Sequence, residues 1–201
     1  DIEKFHILGT SENHESAWGK AIGIVDSSAE SCLAWLFYTC SYDRLKTHVE
    51  DTGKVLRYHY KVPNSRSAVA GSMKVLPPGI SNRLFHIWLT WEKLDDYNGH
   101  ETLVLAFTAR EECEESELLP FPSFPNLSDT VSGKTVGVYT LEKLAPRVTR
   151  MSLAQQVDMK GKVPQFAMNL LVGAGLNIIQ RAVIKFRRKD KVVDEERRKG
   201  F

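Results

Sequence analysis

The chain has 201 residues, 42% of them hydrophobic, which suits one globular domain with a substantial core and excludes a disordered chain. Lys and Arg number 27 against 25 for Asp and Glu, a net charge of +2, so no general attraction draws it to nucleic acid and no nucleic-acid partner is expected. Three cysteines, Cys32, Cys40 and Cys113, have no metal-ligand spacing, and their odd number fits a reducing, cytoplasmic setting without a disulfide framework.

Residues 1–16 lack the basic start and unbroken apolar stretch of a signal peptide, and the chain begins without Met. They read as a lead-in, and the whole as a single domain, 1–201, cut from a longer protein. Residues 17–25, AWGKAIGIV, are β-rich and end at Asp26-Ser27-Ser28, where Ser27 and Glu30 have the spacing of a capping box. The helix predicted there continues through AESCLAWLFYTCSYDRL, with Leu33, Leu36 and Phe37 on one face, and stops by Gly53.

From Lys54 the period changes to two. KVLRYHYKV places Leu56, Tyr58 and Tyr60 on a dry side and Arg57, His59 and Lys61 on a wet one. Pro77-Pro78-Gly79 forces a turn, after which Phe85, Ile87, Leu89 and Trp91 share one strand face. TLVLAFTA, with Leu103, Leu105 and Phe107, is the next strand, followed by an acidic, proline-rich loop. A run over 135–141 and RVTRMSLAQQVD, with Met151 and Leu153, complete an antiparallel meander without intervening helices.

The last element, expected over 164–189, starts near Pro164, which a first helical turn accepts, and spans roughly 35 Å if about 24 residues are helical. Met168, Leu171, Val172, Gly175, Leu176, Ile179, Ala182, Val183 and Phe186 fall on one side. Asn169, Asn177, Gln180, Arg181 and Arg188 fall opposite, and these polar positions argue against a membrane span. A charged tail, 190–201, follows. One early helix, an antiparallel sheet and a long amphipathic C-terminal helix predict an α+β helix-grip fold.

Three segments narrow this. SAWGKAIGIVDSSAESCLAWLF resembles the first strand-to-helix passage of START (StAR-related lipid-transfer) domains, and Pro-Pro-Gly-Ile-Ser-Asn-Arg-Leu-Phe at 77–85 resembles that family's loop and Asn-Arg-x-Phe strand start. Val157-Asp158-Met159-Lys160-Gly161, with Pro164 and Asn169, resembles its final strand, turn and helix start. The matches keep the family's order and spacing across residues 17–188.

The resemblance implies a curved antiparallel sheet wrapped around the C-terminal helix, with an internal apolar cavity holding one lipid of the sterol, phospholipid or sphingolipid class. The implied lining is Leu56, Tyr58, Tyr60, Phe85, Ile87 and Leu89 from the earlier strands, and Leu103, Leu105, Phe107, Met151 and Leu153 from the later ones. Met168, Leu171, Val172, Gly175, Ile179 and Val183 line it from the helix, which acts as a lid with a hinge at Gly161. Several family members carry an acidic residue and an arginine facing the cavity, where Tyr60 and Leu89 stand here. Arg83 is read as a strand-start residue that salt-bridges within the fold. No catalytic residue, metal or cofactor is expected, and the implied protein is a monomer that meets a membrane surface transiently.

Other chemistries find less support. Gly173-Ala174-Gly175 sits inside a helical pattern with no strand before it, so close packing is expected rather than a dinucleotide loop. His59 and His86 lie on neighbouring strand candidates but lack a completing metal motif. Ser72 follows Gly71 without a nucleophile elbow. The acidic run Glu111, Glu112, Glu114, Glu115 and Glu117 lacks EF-hand spacing, and Lys185, Arg187, Arg188, Lys189 and Lys191 suit a solvated helix end better than a membrane-docking patch. An enzyme of the same superfold and an interaction module with a collapsed cavity are the rival functions.

Overall fold

Ser16–Val25 exposes and buries its residues alternately, as a half-buried strand must. The computed structural model describes residues 2–8, 16–52, 56–61, 64–97, 99–112, 130–161 and 163–187. The predicted break at Gly53, Cys113 with Glu114, Glu115 and Glu117 of the acidic loop, and Arg188, Lys189, Lys191 and the charged tail lie outside the described residues.

Among the described residues eight strands form one sheet: β1 (Ile2–Leu8), β2 (Ser16–Val25), β3 (Arg57–Lys61), β4 (Ser67–Lys74), β5 (Asn82–Tyr97), β6 (His100–Ala109), β7 (Thr130–Ala145) and β8 (Val148–Asp158). Their order is β1-β2-β8-β7-β6-β5-β4-β3, with every neighbour antiparallel. β6 gives way to a single 3₁₀ turn at Arg110–Glu112, and beyond it Asn82–Phe85 of β5 pairs in parallel with Thr130–Gly133 of β7. That closure departs from the simple meander expected. β1 also supplies an edge strand from within the supposed lead-in.

The three α-helices among the described residues lie on one face, the inner face. α1 (Ala29–Phe37) buries Ala29, Cys32, Leu33 and Leu36, a helical stripe. Its N-cap is Ser28 rather than Ser27, because the Ser28 side chain accepts the Ser31 N–H at 3.3 Å. The single early helix expected is two: the chain turns at Tyr38–Ser41 and α2 runs Tyr42–Thr52. α3 (Gln165–Phe186) is capped by Pro164, whose carbonyl accepts from Ala167 and Met168. By length and composition it is apolar enough to cross a membrane, but Met168, Val172, Leu176, Ile179 and Ala182 are buried in the main core with the sheet.

Candidate functional site

Register divides the inner face into two unlike halves. Across β2 the inward positions are Ala17, Gly19, Ala21 and Gly23, and α3 packs chiefly along this strand, with lesser contact to β1 and β8. A Cβ on Gly19 would stand 2.7 Å from Val172 and 2.9 Å from Leu176, and one on Gly23 would stand 2.9 Å from Ile179. Small side chains thus let the helix sink onto this edge. Lys4 of β1 anchors it further, donating to Asn177 Oδ1 at 2.7 Å and Gln180 Oε1 at 3.2 Å.

Towards β3 the inward side chains are larger and less covered. Leu89, Leu105 and Leu153 are buried, whereas Phe85, Ile87, Trp91 and Tyr139 keep part of their surface while touching the main core. The rings find room over glycines: Phe85 lies over Gly133, and Phe107 over Gly137, where an added Cβ would stand 2.5 Å from the ring. The roof over this half includes Trp35 of α1 and Phe186 of α3, edge to face at 6.1 Å. A Lys185–Asp43 ion pair ties α3 to α2.

A polar group sits within this otherwise apolar half. Cross-strand partners share a face, so the pairs Ala68–Leu89 and Ala70–Ile87, with Ala68 and Ala70 in the core, set β4's inward parity. His59 pairs with Ala70 and Arg57 with Ser72, which turns both towards the helices. His59 confirms it by lying 5.8 Å from the Phe37 ring and 3.2 Å from Thr39 Oγ1. Arg44 of α2 stacks its guanidinium 4.5 Å from the Trp35 ring centre. Arg44 and Arg57 each lie within electrostatic reach of both Arg181 and Tyr139. Burial, then neighbouring Arg57, lowers the Arg44 pKa to about 10, burial likewise lowers that of Arg57, and burial pushes the Tyr139 hydroxyl up to about 12. Arg44 Nη1, Arg57 Nε, Ser72 Oγ and Gln155 Nε2 are buried without a hydrogen-bond partner. Gln155 is pressed beneath Gly175, whose added Cβ would meet Nε2 at 2.2 Å, so Gly175 is the close-packing glycine expected of that segment.

This placement reverses the expected polarity of β3. Tyr58 and Tyr60 point away from the helices, Tyr58 lying over Gly71 and hydrogen-bonding His86 Nδ1, and Tyr60 being 46% exposed. Leu56 lies just outside the strand, its carbonyl accepting from Met73. None of these three joins the inner-face lining assigned to them; a period of two names the partners on a face without saying which face is dry. His59 and His86 consequently occupy opposite faces and cannot share a metal. Of the remaining residues assigned to the lining, Leu103 and Met151 are buried on the inner face, as are Met168, Val172 and Ile179 of α3, with Leu171 and Val183 half-buried.

Arg83 also differs from expectation. It is 4% exposed and, instead of a salt bridge, donates to the Met159 carbonyl at 2.7 Å and the Lys160 carbonyl at 3.2 Å. Those carbonyls belong to the turn into α3, where Lys160 (φ 53°) and Gly161 (φ 74°) are left-handed and Asp158 Oδ1 accepts the Lys160 N–H. The hinge expected at Gly161 is therefore clamped on its strand side.

No protein-family profile matches the chain, and no curated protein sequence does. Solved structures share its architecture. Human StAR-related lipid transfer protein 5 aligns over 93% of this chain and 84% of its own, with a TM-score of 0.63 and 15% identity. The STAR-related lipid transfer protein of Xanthomonas axonopodis covers 92% and 90%, at 0.60 and 13%. The lipid transfer and protein localization domain of human StarD13 covers 85% and 77%, at 0.61 and 14%. The chain therefore has the START-type helix-grip fold. Identities this low carry the fold and leave function to the side chains.

Proposed function

We propose that the domain binds one lipid between the inner face and its helices and carries or senses it without catalysis. The observation that supports this most is the group Phe85, Ile87, Trp91 and Tyr139 on the inner face, each half-buried while packed against the main core. A space bounded by these side chains is the proposed seat of the lipid. About 300 Å² of lipid surface buried there corresponds to roughly 7 kcal/mol before the costs of ordering. Sterols, phospholipids and sphingolipids have the required apolar bulk. Native mass spectrometry of the purified protein, followed by lipid extraction, is expected to show one lipid per chain. A folded protein that carries none and takes none from vesicles would defeat the reading.

A cytoplasmic monomer that touches membranes transiently fits the same reading. Tyr42, Leu45 and Val49 are exposed along one side of α2, beside Lys46. Lys185, part of the basic cluster, is already committed to Asp43, so its charge attracts headgroups less than a free cation would. Weak, salt-sensitive binding to anionic vesicles is the corresponding expectation.

A further inference from the structure

The inner face carries more positive charge than lipid tails require. Arg44 reaches it from α2 and Arg57 from β3, with Arg181 of α3, which has interactions of its own, near enough to act on both. Guanidinium groups that retreat from water normally take a carboxylate with them, since an unpaired buried cation is costly. Here the groups acting most strongly on Arg44 and Arg57, besides each other and Arg181, are the Tyr139 hydroxyl and the Cys40 thiol. Among the described residues none of these is a carboxylate; Arg57 hydrogen-bonds the Cys40 thiol, and the adjacent Asp43 is turned to Lys185. Arg44 Nη1 and Arg57 Nε are left without an acceptor, and Ser72 Oγ, cross-strand from Arg57 on the same face, is also unpartnered.

We propose that this end of the inner space receives the acidic head of an anionic lipid, a phosphate or carboxylate, seated on Arg44 and Arg57 with Ser72 beside it. This rests on the lipid-binding reading and narrows it to a ligand class. A planar fork of donors suits such oxygens better than it suits a sterol hydroxyl or a ceramide amide. The head supplies negative charge, and the half-buried apolar residues Phe85 and Ile87 on β5, next to Ser72's strand β4, are placed to receive the tails. Arg44 stacked on Trp35 keeps its fork presented while empty.

The test uses the delipidated full chain and phosphatidylcholine vesicles containing equal amounts of dioleoyl phosphatidic acid and dioleoylglycerol, which share tails and differ in the phosphate. Protein is re-isolated and its lipid quantified by mass spectrometry. Phosphatidic acid is expected to exceed dioleoylglycerol by about tenfold or more, the scale of one or two charge-assisted hydrogen bonds. Arg44→Gln and Arg57→Gln are each expected to bring that ratio towards parity. Both should fold, because each removes one of two repelling charges, and a raised melting temperature would mark the relief. Parity in the wild-type protein overturns the proposal whatever the variants do. Inorganic phosphate that raises the melting temperature of the wild type but not of Arg44→Gln, without any phosphatidic acid preference, assigns the cluster to a free ion and also overturns it. Failure to take up any lipid defeats the underlying reading as well, which separates the two failures.

Discussion

The two halves of the inner face solve opposite problems with one sheet. On β2, Ala17, Gly19, Ala21 and Gly23 remove side-chain bulk, so Val172, Leu176 and Ile179 of α3 rest almost on the backbone. Towards β3 the side chains are aromatic, branched or cationic, and Phe85, Ile87 and Tyr139 are incompletely covered. The tight half holds the fold, and the open half, with its half-buried side chains, is the one assigned to the proposed ligand. Stability and lipid uptake should therefore respond to different substitutions.

The largest expected effect is on the tight half. Ile179 is fully buried, so Ile179→Glu forces a carboxylate out of water and should cost about 4 kcal/mol in chemical denaturation. Leu171→Glu, at a half-buried position on the same helix, should cost about half as much and chiefly reduce lipid uptake. Equal losses of stability would erase the distinction. Next comes Leu105→Ala, at a fully buried position in mid-sheet, at about 3 kcal/mol.

Gly19→Val should cost about 2 kcal/mol by overpacking against Val172 and Leu176, lifting the helix from its seat. Ile87→Ala, on the open half, should cost about 1 kcal/mol, because Ile87 is only half-buried and has less contact to lose. Its lipid complement should nevertheless change, with longer or bulkier tails recovered by mass spectrometry. A stability loss for Ile87→Ala as large as that for Leu105→Ala would mean the open half is packed solid.

How much of this was legible in the sequence follows the same division. The stripe Met168, Val172, Leu176 and Ile179 was readable because helical spacing and apolar chemistry agree, and Phe85, Ile87 and Leu89 were readable because they alternate with polar residues. β4 escaped: SAVAGSMK is buried on both faces at its start and has small residues where alternation would show. The polarity of β3 is hidden because Tyr58 and Tyr60 look apolar beside Arg57 and His59, although Arg57 and His59 belong to the inner face. Arg44, Arg57, Arg181 and Tyr139 come from α2, β3, α3 and β7, so no local spacing announces them. Register against Ala68 and Ala70 is the signal that finds Arg57, and it exists only once the strands are paired.

The smallest expected effect leaves stability untouched and reports on the two halves chemically. Cys32 of α1 is fully buried, and burial pushes its thiol up to about 11 despite hydrogen bonds with Thr149 and Ser27. Cys40, in the turn between α1 and α2, is half-buried and interacts with Arg57 on the open half. The thiolate is the reactive form, and at pH 7.5 a group with the Cys32 value is ionised in fewer than roughly one molecule in a thousand. In a Cys113→Ser variant, a maleimide should therefore label Cys40 first and Cys32 only on unfolding. Raising the pH should speed Cys32 about tenfold per unit until its thiol titrates, provided the fold holds. A lipid seated near Arg57 should slow Cys40 by shielding it and leave Cys32 unchanged, since Cys32 is already fully buried without it. Peptide mapping after timed labelling distinguishes the sites. Equal labelling of the two thiols would show that the core opens as readily as the ligand space, and the proposed difference between the halves would be lost.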